Sequence, residues 1–122
     1  MSTNNQRLAG IRGAITVDDD TAEAIVAGAQ ELLGTIIERN ELAGEDLVSV
    51  LFTSTADLRA EFPAVGARRL GLTDVPLLCA QEIEVPGAVQ SCIRVLVHAY
   101  AGGPVRHVYL RGARELREDL PE

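Results

Sequence analysis

Apolar residues recur along this chain with two periods, and each change of period marks an element. Between Asp20 and Arg39 they fall at positions 22, 25, 26, 29, 32, 33, 36 and 37, the one-sided stripe of an amphipathic helix. Asp20, with Glu23 three positions on, predicts an N-cap and a capping box, and Asp18 to Asp20 together suit the positive end of the helix dipole. Elsewhere the apolar runs are short and rich in β-branched residues. Five of them, at 9–17, 46–55, 75–83, 91–100 and 105–113, predict strands. VPGA and AGGP read as turns, Pro63 and its neighbouring glycines leave a loop and a short helix near 64–70, and RELREDLPE reads as a charged tail.

One long helix beside about five strands, without regular alternation of the two, gives an α+β fold with a mixed sheet. A single helix covers one face of such a sheet, so the other is solvated or buried by another subunit. Side-chain alternation sorts the strands between these faces. Ile93, Val95, Val97 and Ala99 belong against the helix, with Ile11, Ile15, Val17, Val108 and Leu110. The opposite face receives Cys92, Arg94, Leu96, His98, Arg12, Thr16 and Tyr109. It is too apolar for free solvation and too charged for an ordinary core, as expected of an interface containing a polar pocket.

The 122 residues suit one domain, 1–122, with 1–8 as a flexible N-terminus and 114–122 as a C-terminal tail near the site. Formal charge is −7, which disfavours nucleic acid as a partner, and all eleven basic residues are Arg. Any cationic site is therefore built from guanidinium, a planar fork suited to carboxylates, and no Lys can form a Schiff base. Cys79 and Cys92, with His98 and His107, lack metal-ligand spacing. No metal or cofactor is expected, and both histidines read as structural. MSTNNQRLAG has no apolar signal core and no run is long enough to span a bilayer, so reduced thiols in the cytoplasm and no membrane partner are expected.

Five side chains invite chemistry. Arg94, at mid-strand between Ile93 and Val95, needs a partner. It is either a structural ion pair with Glu82 or Glu84, an exposed edge residue, or a ligand-binding cation. Arg12 lies in GIRGA, where the glycines let a ligand approach the backbone, or it is an exposed strand residue. Tyr109 is a packing residue or a donor, and Glu82 an outward carboxylate or an acceptor. In a regular strand Cys79 and Glu82 point to opposite faces. Cys79 has no neighbouring His or helix N-terminus to activate it, so a packed or weakly hydrogen-bonding thiol fits better than a nucleophile. These residues alone describe an arginine-lined interface pocket for an anionic small molecule.

The ordered blocks GIRGAITV, DLRAEFPA, VPLLCAQEIEVPGAVQSCIRV, RHVYL and LREDL resemble the small trimeric α+β, or AroH, class of chorismate mutase, from about residue 9 to 120. The resemblance implies a homotrimer with its sites between subunits, and the Claisen rearrangement of chorismate to prephenate in phenylalanine and tyrosine biosynthesis. Such a reaction requires no nucleophile, proton transfer or cofactor. It needs a dicarboxylate held in a compact shape and a charge where the C–O bond breaks. By the same resemblance Arg94 donates to the ether oxygen, Arg12 and Tyr109 hold carboxylates, and Glu82 and Cys79 bind the ring hydroxyl, assisted by the Leu78 main chain. Phe62 and Leu116 form apolar walls, and Arg68 and Arg117 stand near the mouth. Val65 occupies a position where the family commonly carries a Lys. The alternative is a non-catalytic trimeric domain that binds an anionic metabolite.

Overall fold

The computed structural model describes residues 6–117, except the Arg117 side chain. The strands are β1 (Arg7–Thr16), β2 (Leu47–Ser54), β3 (Leu77–Gln81), β4 (Cys92–Ala101) and β5 (Val108–Leu110). The helices are α1 (Ala22–Arg39) and the short α2 (Ala64–Arg69), with 3-10 turns at Gly44–Asp46 and Arg111–Arg117. The strands form one mixed sheet in the order β3-β2-β4-β1-β5. β4 runs antiparallel to both β1 and β2, while the edge strands β3 and β5 are parallel to their neighbours.

α1 forms where its stripe predicts it and buries Ile25, Val26, Ala29, Leu32, Leu33 and Ile36. Against them lie Ile11, Ile15, Val50, Phe52, Ile93, Val95, Val97 and Val108, in one hydrophobic core. Gly13 serves this packing: a Cβ there would stand 2.8 Å from Ile36 Cδ1 and 2.9 Å from the Val108 carbonyl oxygen. Its missing side chain admits the helix rather than a ligand, which corrects half of the GIRGA argument. α2 packs on α1 through Gly66, whose added Cβ would meet the Gln30 amide nitrogen at 2.7 Å.

Several boundaries differ from the sequence-based expectation. The N-cap is Thr21, not Asp20; its extended backbone lets the hydroxyl accept from the Ala24 amide. Asp20 Oδ1 accepts instead from the amides of Arg59 and Ala60, at 2.7 and 2.9 Å, and fastens the loop before α2. Glu23 is one place too early for a capping box. β1 begins at Arg7, paired with Ala101, so Arg7 and Leu8 are strand rather than flexible terminus.

β5 keeps three residues of the expected nine. On one side the Asn40 side chain takes the Arg106 amide and carbonyl out of the ladder, at 2.7 and 3.0 Å. On the other, Arg111 turns the chain at φ 55. The segment beyond is a 3-10 turn that buries Ala113 and rests Leu116 on the cluster of Ala14, Cys92 and Ala113. The start of the presumed tail is therefore packed, and residues 118–122 lie outside the described part. Among the described residues no helix is long and apolar enough to cross a membrane.

Candidate active site

Strand register assembles the site on the face away from α1. Ala80, Thr53, Arg94, Ala14 and Tyr109 pair in turn across β3, β2, β4, β1 and β5, forming one row over the whole sheet. The neighbouring row is Leu78, Leu51, Leu96 and Arg12. The result is a groove of about 270 Å³, lined by Arg12, Arg94, Tyr109, Thr53, Leu51 and Leu96.

Glu82 follows the end of β3, where its amide bonds to the Ser54 carbonyl at 2.9 Å. This places its carboxylate on the Arg94 side. Arg94 Nε stands 2.9 Å from Glu82 Oε2, but its N–H is not aimed along that line, so the contact is an ion pair without a formed hydrogen bond. The directed bond to the same oxygen comes from the Thr53 hydroxyl, at 2.7 Å. Two guanidinium groups against one carboxylate leave the groove net positive in a chain of charge −7, so it selects anions locally.

Arg12 is held through its backbone, its amide donating to His107 Nδ1 at 2.9 Å. That bond requires the His107 proton on Nε2 and gives the histidine a structural task, as expected. His98 also has one, with Nδ1 3.0 Å from Ser49 Oγ. At the head of β4, Thr55 Oγ1 accepts from the Cys92 amide, and Asp57 accepts from the Thr55 hydroxyl and from the amide and hydroxyl of Ser91. These bonds fix the strand two residues before Arg94. Partial burial raises the Asp57 pKa, but the bonds from Thr55 and Ser91 outweigh it and hold the carboxyl below its ordinary value.

Other expected residues lie elsewhere. Cys79 pairs with Phe52 and so faces the α1 side, opposite Glu82, as strand alternation requires. It lines a separate hollow of about 300 Å³ with Phe62, Leu58, Pro63 and Gln81. Phe62 and Leu78 are both exposed, at 66% and 61%. Arg68 is exposed on α2, Leu116 packs on the buried cluster of Ala14, Cys92 and Ala113, and the Arg117 side chain is outside the described part. Cys92 is buried with Ala14 and Ala113. Burial drives its pKa up to about 11, with Arg94 opposing and Glu82 and Asp57 adding to the rise, so it is a neutral thiol at pH 7. Among the described residues no group of three or more His, Cys, Asp or Glu is arranged to hold a metal.

Within one chain the structure thus unites Arg12, Arg94, Tyr109 and Glu82, and leaves Cys79 and Phe62 apart. Sequence reasoning missed Thr53, Thr55 and Asp57. Only strand register sets Thr53 opposite Arg94, and nothing in FTSTAD announces it.

Comparison with known proteins shows the family. Residues 8–120 match the family model "Chorismate mutase type I". The chain belongs to the chorismate mutase type I family. It is 50% identical over 115 residues to chorismate mutase AroH of Thermus thermophilus, covering 91% of this chain and 94% of that protein. Identity to chorismate mutase AroH of Bacillus subtilis is 45% over 115 residues, covering 91% of each. The solved chorismate mutase of Clostridium thermocellum superposes with a TM-score of 0.86 at 46% identity, covering 88% of this chain and 98% of that one. As a chorismate mutase the chain is an isomerase.

Proposed function

We propose that this chorismate mutase rearranges chorismate to prephenate by restraining and electrostatically stabilising the substrate, with no covalent or acid-base step. The observation that carries the proposal is the juxtaposition of Arg94, Arg12 and Tyr109 on one sheet face, with Glu82 paired to Arg94. A dicarboxylate with an ether bond is matched by two guanidiniums and a phenol. Arg94 donates to the ether oxygen as it gains charge, Arg12 and Tyr109 hold carboxylates, and Glu82 accepts from the ring hydroxyl. In such a site the donors are already oriented, so little reorganisation is needed when the charge develops.

The active assembly is a homotrimer with its sites between subunits. Leu8, Leu78 and Tyr100 are exposed on the groove face, an apolar surface typical of an interface. A cleft between subunits also accounts for Cys79 and Phe62. The hollow they line in one subunit meets the groove of the next, adding the thiol, the Leu78 main chain and an apolar wall. Leu116 supplies a second apolar wall, and Arg68 stands near the mouth.

The test is spectrophotometric: purified protein with chorismate should consume the substrate's absorbance and yield prephenate, at the same rate in excess chelator. Tight binding of chorismate without turnover would replace the catalytic reading with a binding one.

A further inference from the structure

Glu82 is asked to do two things at once, to neutralise Arg94 in part and to offer an oxygen to substrate. The structure divides these tasks between its two oxygens. Oε2 receives the Thr53 hydroxyl at 2.7 Å and the Arg94 guanidinium at 2.9 Å. Oε1 makes no hydrogen bond to another described residue. Arg94 Nε is buried and its N–H points off the carboxylate, so the ion pair alone does not orient Glu82, because charge attraction is only weakly directional. Thr53 supplies the direction. It sits on β2 in register with Arg94 on β4, so its hydroxyl reaches the same carboxylate oxygen as Arg94, and Thr53 itself lines the groove.

We infer that Thr53 is a positioning residue for the rearrangement, locking the Glu82 carboxylate so that Oε1 is presented to the substrate hydroxyl and Arg94 is held with its terminal nitrogens free. The inference rests on the roles proposed above for Glu82 and Arg94. A hydroxyl-to-carboxylate bond is charge-assisted and stronger than a neutral one. Without it the carboxylate rotates about its last torsion, whose preference is broad, and Arg94 loses a fixed counter-charge. Misplacement of catalytic groups by such amounts costs rate more than affinity.

The experiment is a double-mutant cycle in the full-length protein with Thr53→Val, Thr53→Ser, Glu82→Gln and the Thr53→Val/Glu82→Gln pair. Circular dichroism checks each fold. Valine keeps the β-branched shape that a central strand favours and removes only the donor. Thr53→Val should lower kcat about 10-fold with KM little changed, the order expected for one charge-assisted bond. Thr53→Ser should stay within roughly threefold of wild type, because it restores the hydroxyl. In the Glu82→Gln background, Thr53→Val should cost little more, since both changes break the same unit.

Wild-type kcat in Thr53→Val, an equal loss in Thr53→Ser, or full additivity with Glu82→Gln would each overturn the inference. Those outcomes are separate from failure of the underlying site: a Glu82→Gln enzyme with unchanged kcat and KM would remove Glu82 from the mechanism, and Thr53 with it.

Discussion

At the scale of single residues, the mechanism stands or falls on Arg94. In the ground state the ether oxygen is a poor acceptor; in the transition state it carries partial negative charge. A cation there binds the second state better than the first, and only that difference accelerates the step. Arg94→Ala should reduce kcat by at least the roughly 10²–10³-fold lost with a single oxyanion donor, with a smaller change in KM. A neutral, nearly isosteric side chain should not restore the rate, while Arg94→Lys should recover part of it, limited by the ammonium's different geometry. A folded Arg94→Ala enzyme with wild-type kcat and a raised KM would make Arg94 a carboxylate clamp. The two thiols differ from it in kind. Cys79→Ala should keep substantial activity, because a thiol is a weak donor. Cys92, buried with its pKa pushed up to about 11, should resist alkylation at pH 7 in the native protein and react once it is unfolded. Mass spectrometry of iodoacetamide-treated samples distinguishes the two states.

At the scale of elements, the site depends on contacts well away from the groove. Gly66 lets α2 lie directly on α1. A methyl group added there would stand 2.7 Å from the Gln30 amide nitrogen and 2.9 Å from the Val26 carbonyl oxygen. Both are backbone atoms and cannot yield, so Gly66→Ala should cost about 1–3 kcal/mol, the range for overpacking, visible as a lowered Tm. The clamp at the head of β4 is sensitive to pH. The Asp57 carboxyl lies below its ordinary value because Thr55 and Ser91 bond to its charged form more than burial disfavours it. A depressed folded pKa contributes stability above the unfolded Asp pKa, near 3.9, and that contribution is lost as pH falls through the folded value. Asp57→Asn should therefore be less stable than wild type at pH 7, with the gap closing below about pH 4. Denaturant melts at both pH values test this, and a gap constant down to pH 2 would exclude a titrating role for Asp57.

At the scale of the whole molecule, one helix layer over one sheet leaves a face that a lone chain does not cover. Leu8 and Tyr100 are paired across β1 and β4 and stay exposed on that face, at 58% and 45%. Light scattering should report a trimer. The double substitution Leu8→Glu and Tyr100→Glu should lower the mass and the activity together, by placing charges in the proposed subunit interface. A stable monomer with full activity would remove the between-subunit site and require Cys79 and Phe62 to act without a neighbour.

Much of this molecule is decided by local pattern. The stripe of α1 and the alternation in β1, β4 and β5 are statements about which side chains share a face. Face assignment follows from covalent geometry alone, so Arg12, Arg94 and Tyr109 were legible as one surface before any strand was paired, and Cys79 and Glu82 as opposites. The family followed from blocks such as CAQEIEVPG and RHVYL in order. Capping and strand ends were less legible, because rivals for the same backbone groups come from far along the chain. Asp20 is drawn to Arg59 and Ala60, leaving Thr21 to cap α1, and Asn40 takes Arg106 out of β5. The pairing of strands was not legible at all. It sets Thr53 opposite Arg94, puts the small Ala14 between Arg94 and Tyr109, and brings Glu82 over the same row. Those are contacts between residues up to 95 positions apart, and only the closing of the sheet around its core selects them, because register is a property of two strands and a shared buried face rather than of either sequence.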